Sequence, residues 1–214
     1  MGEITNTYIF DPKVPIRIKQ SLPECRIIIC LRNPYERIVS NYSYKLREGY
    51  FNCSFEEALR IMPSLLEEVR YYSLIKPYLK VFRRNQIFFM VFDDLKDNPE
   101  RLLSDLYQFL GIRYVLPEVV ISGKKVNQAI VPRGPFIAGF SRKVADTLRV
   151  MGLYRVLTTA KRSDVLKSMF FKPYRASPRD IMSPEALKVI EEAVMPELDR
   201  LSPIVGRDLT RWQP

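Results

Sequence analysis

The sequence predicts an α/β fold in which helices flank a parallel sheet. Two short apolar segments, residues 26–31 and 86–92, are rich in β-branched or aromatic side chains and have the composition of buried strands. Helical patterns lie between them and after the second, and this order of elements is typical of a layered fold with parallel strands. Because the chain contains no repeat and no linker, we expect a single domain over residues 1–214.

Local signals place the helices between the two strands. Pro34 suits the first turn of a helix that we expect to reach Arg47. Ser54 and Glu57 have the spacing of a capping box, which predicts a helix that starts after Ser54. A further helix is expected over residues 71–82.

After the second strand, Asn98 and Pro99 predict the start of a helix that ends before Gly111, a natural C-terminal cap. The last helix is expected over residues 183–201, with Ser183 as its N-cap. The chain between these helices is expected to contain a loop, a helix and an irregular segment, over residues 114–142, 141–151 and 161–180.

The composition limits which residue types can carry out catalysis and which partners the chain can bind. The chain has 34 Lys and Arg against 24 Asp and Glu, a formal charge of +10, and so invites an anionic partner. Histidine is absent, which excludes His-activated nucleophiles, His acid–base catalysis and the commonest metal ligand. Catalysis must therefore use carboxylates, Lys, Arg, Ser or Tyr, and we expect no metal.

The cysteines and the hydropathy of the sequence indicate the cellular compartment of the protein. Cys25, Cys30 and Cys53 show no CxxC spacing, and Cys25 and Cys30 flank an apolar run, so we expect reduced, structural thiols. The sequence shows neither a signal-peptide pattern nor about 18 consecutive apolar residues that could span a membrane. These observations favour a cytoplasmic protein without a transmembrane segment.

The segment after the first strand is the strongest candidate for a binding site. The strand delivers Arg32 to its carboxyl end, where open α/β sheets bind ligands. An Arg near a helix N-terminus suits an anionic group, and Ser40, about two turns into the helix, could add a hydrogen bond. Alternatively, Arg32 pairs with a nearby carboxylate and Ser40 is merely exposed.

The pattern R-N-P-x-E-R-x-x-S-x-Y over residues 32–42 resembles the 3′-phosphate-binding segment of sulfotransferases that use 3′-phosphoadenosine 5′-phosphosulfate (PAPS). Residues 2–23 are most similar to the heparan-type and bacterial carbohydrate-type branch, and residues 85–112 and 206–212 resemble later parts of the family. The resemblance implies a sulfotransferase core like that of P-loop NTPases, with a parallel sheet flanked by helices.

The resemblance also implies roles for individual residues. Arg32 and Ser40 would bind the 3′-phosphate of the nucleotide. Glu3 occupies the position of the general base on the acceptor hydroxyl, although the family often has Lys where this chain has Ile4; the alternative is a solvated terminal Glu. Lys124 and Lys125 either contact the nucleotide, as late basic loops do in this family, or belong to a solvated turn.

One family feature is missing from the sequence. The family's 5′-phosphosulfate loop and the strand before it precede the 3′-phosphate segment, and a strand–loop–helix unit needs roughly 30 residues. Only 25 residues precede Arg26, and the turn Gly123-Lys124-Lys125 is in the wrong place. We therefore expect an N-terminally truncated or degenerate member that is inactive or nearly so.

The functional expectation is sulfuryl transfer from PAPS to a hydroxyl acceptor, for which the resemblance favours a carbohydrate. The alternative is a non-catalytic module that binds an anion, a nucleotide or a glycan. Because a doubly anionic nucleotide accounts for the positive charge, we expect no nucleic-acid partner.

Overall fold

The computed structural model describes residues 2–114, 130–132, 147, 171–173 and 181–214. Its chain divides into two compact units. The first comprises Met1–Tyr35, Leu66–Lys124 and Lys188–Gln213, and the second comprises Glu36–Leu65, Lys125–Leu187 and Pro214. The basic residues Lys124 and Lys125 lie outside the described residues, as does the helix expected over 141–151 apart from Thr147.

The described residues include two pairs of short strands and several helices. The strands are β1 (Ile27–Leu31), β2 (Ile87–Val91), β3 (Ile130–Pro132) and β4 (Phe171–Pro173). The α-helices are α1 (Val14–Ser21), α2 (Pro34–Arg47), α3 (Phe55–Ile61), α4 (Ser64–Glu67), α5 (Tyr71–Val81), α6 (Phe92–Asp97), α7 (Pro99–Leu110) and α8 (Pro184–Val205).

Strands β1 and β2 pair in parallel, which confirms the predicted α/β class. Ile27 lies opposite Ile87 and Leu31 opposite Val91. Because the strands are parallel and in register, the residues that follow Leu31 and Val91 leave the sheet at the same edge.

Strand β1 buries one face more than the other. Ile29 and Leu31 are buried, whereas Ile28 is 40% exposed and Cys30 is exposed. Cys30 is therefore not a core residue, because alternate side chains of a strand point to opposite faces. Cys25, Cys30 and Cys53 all lie within the described residues, and none of them forms a disulfide.

The caps that the sequence predicts are confirmed. Ser54 Oγ accepts a hydrogen bond of 3.2 Å from the Glu57 N–H at the start of α3. Asn98 Oδ1 accepts one of 3.1 Å from the Arg101 N–H at the start of α7. Helix α7 ends at Gly111, whose φ of +65° is the left-handed conformation that favours glycine.

Helix α8 begins as predicted but is longer. Ser183 Oγ accepts a hydrogen bond of 3.2 Å from the Ala186 N–H. The helix then continues past Leu201 and through Pro203 to Val205. It ends at Gly206, whose φ is +76°.

The predictions of a loop over 114–142 and of an irregular segment over 161–180 are each wrong at three residues, which form the strands β3 and β4. Strands β3 and β4 pair antiparallel there, with Val131 opposite Lys172. Three residues are too few to show the alternation by which a strand is recognised in a sequence.

Each unit has buried apolar side chains. In the first unit these come from the sheet and the helices beside it: Ile29, Leu31, Ile75, Ile87, Val91, Leu102, Ile190, Val194, Leu198 and Leu201. In the second unit the ring of Tyr42 lies 5.6 Å from that of Phe51 and 5.3 Å from that of Phe55, between centroids. The Tyr42 hydroxyl donates to the Cys53 carbonyl at 2.8 Å.

The buried side chain of Gln86 connects the chain segments beside the sheet. Its Nε2 donates to the carbonyls of Pro23 and Cys25, at 3.0 and 3.1 Å. Its Oε1 accepts from Lys19 Nζ at 3.2 Å and from the Arg83 N–H at 3.3 Å. Every polar atom of this buried amide is therefore hydrogen-bonded.

Gln86→Leu is expected to lower the free energy of unfolding by about 2 kcal/mol, because it removes the four hydrogen bonds of this buried amide. Urea unfolding followed by circular dichroism measures the change. The matched control is Gln108→Leu, at an exposed glutamine of α7, which we expect to change stability by less than about 0.5 kcal/mol. Equal effects of the two substitutions would contradict this role of Gln86.

Among the helices within the described ranges, none combines the length and the apolar character that crossing a membrane requires.

Candidate functional site

The carboxyl edge of the β1–β2 sheet carries the polar residues of the candidate site. Arg32 and Asn33 follow β1, and Phe92, Asp93 and Asp94 follow β2 as the first turn of α6. Both groups belong to the first unit. Parallel pairing therefore brings residues that are 60 positions apart in the sequence to one edge.

Contacts to the main chain and to the side chain both hold Arg32 in place. Its carbonyl oxygen accepts a hydrogen bond of 2.8 Å from the hydroxyl of Tyr71, a side chain that is only 2% exposed. Its half-buried guanidinium lies over the ring of Phe92, with the guanidinium carbon 5.2 Å from the ring centroid. The stacking leaves the charge of Arg32 in place to attract an anion.

Asn33 controls the turn from β1 into α2. Its Oδ1 accepts a hydrogen bond of 3.0 Å from the Tyr35 N–H, which is the N-cap geometry that starts a helix. Its Nδ2 donates to the carbonyl of Gln213 at 2.8 Å. Pro34 occupies the first helical position, where its missing N–H costs nothing. The N-terminus of α2, the positive end of its dipole, therefore begins within two residues of Arg32.

A second cation, Lys96, lies over the same Phe92 ring as Arg32. Lys96 Nζ lies 5.2 Å from the centroid of the Phe92 ring and 3.5 Å from Asp93 Oδ1. Lys96 is thus ion-paired with Asp93, and it is Arg32 together with the adjacent helix N-terminus that suits an anionic group such as a phosphate.

A cleft of about 490 Å³ beside β2, also in the first unit, differs in charge. Its charged lining comprises Arg101 and Arg207 together with Asp94 and Asp105, and Asp94 and Arg207 form an ion pair. The two arginines and two aspartates of this cleft balance in charge.

Ser40 is an exposed residue of α2 in the second unit. It lies six residues after Pro34, so its place within the helix agrees with the sequence-based expectation of about two turns.

Glu3 lies on the exposed N-terminal segment of the first unit. Its Oε1 accepts a hydrogen bond of 2.9 Å from the hydroxyl of Tyr8, and this bond raises the pKa of Tyr8. The Tyr8 carbonyl in turn accepts a hydrogen bond of 3.0 Å from the hydroxyl of Tyr78. Burial raises the pKa of Tyr78 to about 12. Glu3 is thus connected through Tyr8 to α5.

Sequence reasoning missed two neighbours of Arg32. It placed Tyr71 at the start of a helix and gave it no role at the site; the ring is buried, and the hydroxyl holds the Arg32 main chain. It assigned Phe92 to a strand and gave no role to its ring. The tendency of a buried Tyr hydroxyl to find a partner was the available signal, but it does not name the partner.

The acidic residues do not form a metal site in the described part of the chain, where no three His, Cys, Asp or Glu side chains are grouped to hold an ion. Asp93 and Asp94 instead accept hydrogen bonds from Trp212 and Arg207.

Comparisons with known proteins agree with this geometry. The family model described as "Sulfotransferase domain" matches residues 5–125. The fold is similar to the crystal structure of a sulfotransferase from Alicyclobacillus acidocaldarius, with a TM-score of 0.62 and 20% sequence identity. That match covers 97% of this chain and 65% of the other, so this chain spans less than two thirds of its length. No curated protein matches the sequence significantly.

The structural similarity shows the fold, and the family model extends over more than half of the chain, including Arg32, Asn33 and Ser40. The chain therefore belongs to the sulfotransferase family.

Proposed function

We propose that the protein transfers a sulfuryl group from PAPS to a hydroxyl group of an acceptor, and that the acceptor is a carbohydrate. Membership of the sulfotransferase family supports the reaction class. The observation that carries the proposal is the place of Arg32, whose main chain is fixed at the carboxyl end of a parallel strand. The carbohydrate acceptor rests on the resemblance of residues 2–23 to the carbohydrate-type branch.

In this proposal Arg32 binds the 3′-phosphate of the donor. The planar guanidinium can donate two hydrogen bonds to phosphate oxygens. The stacking on Phe92 and the Tyr71 hydrogen bond restrict its motion before the ligand arrives, which lowers the entropy cost of binding. The family resemblance adds Ser40 as a second ligand of this phosphate, and Lys124 and Lys125 as further contacts to the nucleotide.

Glu3 is the proposed general base. As the acceptor oxygen attacks sulfur, its proton passes to the Glu3 carboxylate, and the bond from sulfur to the 5′-phosphate oxygen breaks. The products are the sulfated acceptor and adenosine 3′,5′-bisphosphate. The Tyr8 hydroxyl engages one oxygen of Glu3, and the other can receive the proton.

The direct experiment is incubation of the protein with PAPS and a panel of amino sugars and uronic-acid disaccharides, with mass spectrometry of the products. An active chain gives an acceptor that gains the mass of one sulfuryl group while adenosine 3′,5′-bisphosphate is released in equal amount, whereas the sequence-based expectation of an inactive or nearly inactive chain predicts no more than traces of this product. If bisphosphate binds but no acceptor is ever sulfated, the transfer reaction is wrong for this chain.

Glu3→Gln is expected to lower kcat about 100-fold, because the amide cannot accept the proton. The KM for PAPS should stay within about two-fold, since the donor is bound elsewhere. Steady-state kinetics on an acceptor found in the panel measures both constants. The matched control is Glu24→Gln, at another exposed glutamate before β1; an unchanged kcat for Glu3→Gln would exclude Glu3 as the base.

A non-catalytic nucleotide- or glycan-binding module is the second candidate. The exposure of Glu3 favours it, because a base is usually shielded from water. This candidate predicts bisphosphate binding that depends on Arg32, together with the absence of any sulfated product.

A further inference from the structure

The chain that follows α8 turns back towards the carboxyl edge of the sheet. Gly206 makes this turn with a φ of +76°. The Arg207 N–H donates to the Ser202 carbonyl at 3.2 Å, and the Leu209 N–H donates to Ser202 Oγ at 3.0 Å. Leu209 is 3% exposed. Residues 207–213, which we name the C-terminal strap, are thus anchored at their start.

The strap contacts the residues that follow both strands. Arg207 forms an ion pair with Asp94, and Trp212 Nε1 donates to Asp93 Oδ2 at 2.7 Å. The carbonyl of Gln213 accepts the 2.8 Å hydrogen bond from Asn33 Nδ2. All these residues belong to the first unit. The strap therefore bridges the end of β1 and the end of β2.

Trp212 also contacts the residue that holds Arg32. Its ring packs edge-to-face against Tyr71, with 6.5 Å between centroids and 67° between planes. The Tyr71 hydroxyl donates to the Arg32 carbonyl. A continuous path of contacts thus runs from Asp93 through Trp212 and Tyr71 to the main chain of Arg32.

We propose that Trp212 is a positioning residue for the anion-binding site: its indole N–H, held by Asp93, fixes the ring that orients Tyr71 and, through it, Arg32. The inference rests on the proposed function, since it assigns to Arg32 the 3′-phosphate of the nucleotide. Trp212 does not touch the ligand in this account. It keeps Arg32 where both guanidinium hydrogen bonds can form, and a small displacement weakens such a fork.

A positioning role has a specific signature. Weakening the path should reduce affinity only for ligands that carry a 3′-phosphate. A merely structural role would instead lower stability and leave the preference for a 3′-phosphate unchanged. Adenosine 3′,5′-bisphosphate and adenosine 5′-monophosphate differ only in that phosphate, so the ratio of their affinities reports on the site of Arg32.

The test is isothermal titration of both nucleotides into the wild type, Trp212→Phe and Tyr71→Phe. The first variant keeps an aromatic ring without the N–H, and the second removes only the hydroxyl. We expect bisphosphate affinity to fall about ten-fold in each, with the monophosphate affinity unchanged. Tyr72→Phe is the matched control, because Tyr72 is the adjacent tyrosine whose ring lies 5.8 Å from the Arg200 guanidinium carbon, and it should change neither affinity.

A double-mutant cycle shows whether Trp212 acts through Arg32. In the Arg32→Ala background, Trp212→Phe should have no further effect on bisphosphate affinity. If Arg32→Ala alone does not weaken bisphosphate binding, the proposed function fails. The positioning role is wrong if Arg32→Ala weakens bisphosphate binding but Trp212→Phe and Tyr71→Phe do not. It is also wrong if Trp212→Phe still lowers bisphosphate affinity in the Arg32→Ala background.

Should Trp212→Phe fail to fold, Asp93→Ala in a Lys96→Ala background, compared with Lys96→Ala alone, removes the same hydrogen bond from the other side without releasing the Lys96 ammonium from its ion pair beside Arg32. It should cause the same selective loss of bisphosphate affinity, with Asp97→Ala as the control at an exposed carboxylate of the same helix. An unchanged affinity ratio in Asp93→Ala would overturn the proposal equally.

Discussion

Arg32→Ala is expected to weaken the binding of adenosine 3′,5′-bisphosphate about 100-fold and to leave that of adenosine 5′-monophosphate nearly unchanged. The substitution removes two charge-assisted hydrogen bonds to the 3′-phosphate, and 100-fold corresponds to about 2.7 kcal/mol, within the range for such contacts. Isothermal titration with both nucleotides measures the effect.

Two further variants make the Arg32 result specific. Arg32→Lys keeps the charge but loses the planar fork, so we expect an intermediate loss of about ten-fold. Arg26→Ala removes an exposed arginine just before β1, whose guanidinium carbon lies 5.8 Å from the centroid of the Phe109 ring, and should not change either affinity. If Arg26→Ala and Arg32→Ala weaken both nucleotides alike, the contribution is general attraction by positive charge and Arg32 is not a phosphate ligand.

Glu197→Ala is expected to lower the free energy of unfolding by about 3 kcal/mol. Glu197 lies in α8 and is only 4% exposed. Its two carboxylate oxygens accept hydrogen bonds of 2.7 Å, one from the N–H and one from the hydroxyl of Ser73. Ser73 is the third residue of α5, so Glu197 caps that helix and complements its dipole. Its removal leaves a buried donor without an acceptor.

Chemical denaturation with a matched set of variants tests this role. Glu197→Gln retains one acceptor oxygen and should lose about half as much stability, whereas Glu192→Ala, at an exposed position of the same helix, should lose less than about 0.5 kcal/mol. Equal stability of Glu197→Ala and Glu192→Ala would show that the cap is dispensable. Because α5 begins at Tyr71, we also expect Glu197→Ala to weaken bisphosphate binding.

The features that the sequence predicts well are those set by neighbouring residues. The caps at Ser54, Asn98 and Gly111 depend on atoms within four positions, and all three are present. The strand residues Ile27–Leu31 and Ile87–Val91 are continuous apolar runs, which distinguish a buried parallel strand from a loop. The place of Arg32 at the end of β1 follows from the same local pattern.

The features that the sequence does not predict depend on contacts between distant residues. Tyr71 meets Arg32 across 39 positions, and Trp212 meets Asp93 across 119. Each side chain has an ordinary alternative, namely packing in the core or lying in solvent, and only the folded chain selects the partner. An apolar run likewise does not show which of its side chains lie on the covered face, and in β1 Cys30 lies on the exposed one.

The measurement that most directly tests the account is the ratio of affinities for adenosine 3′,5′-bisphosphate and adenosine 5′-monophosphate in the wild-type protein. A 3′-phosphate site at Arg32 predicts that the bisphosphate binds about 100-fold more tightly, by isothermal titration at moderate salt. A ratio near one would contradict the central claim that the carboxyl edge of β1 recognises the 3′-phosphate of a sulfotransferase donor.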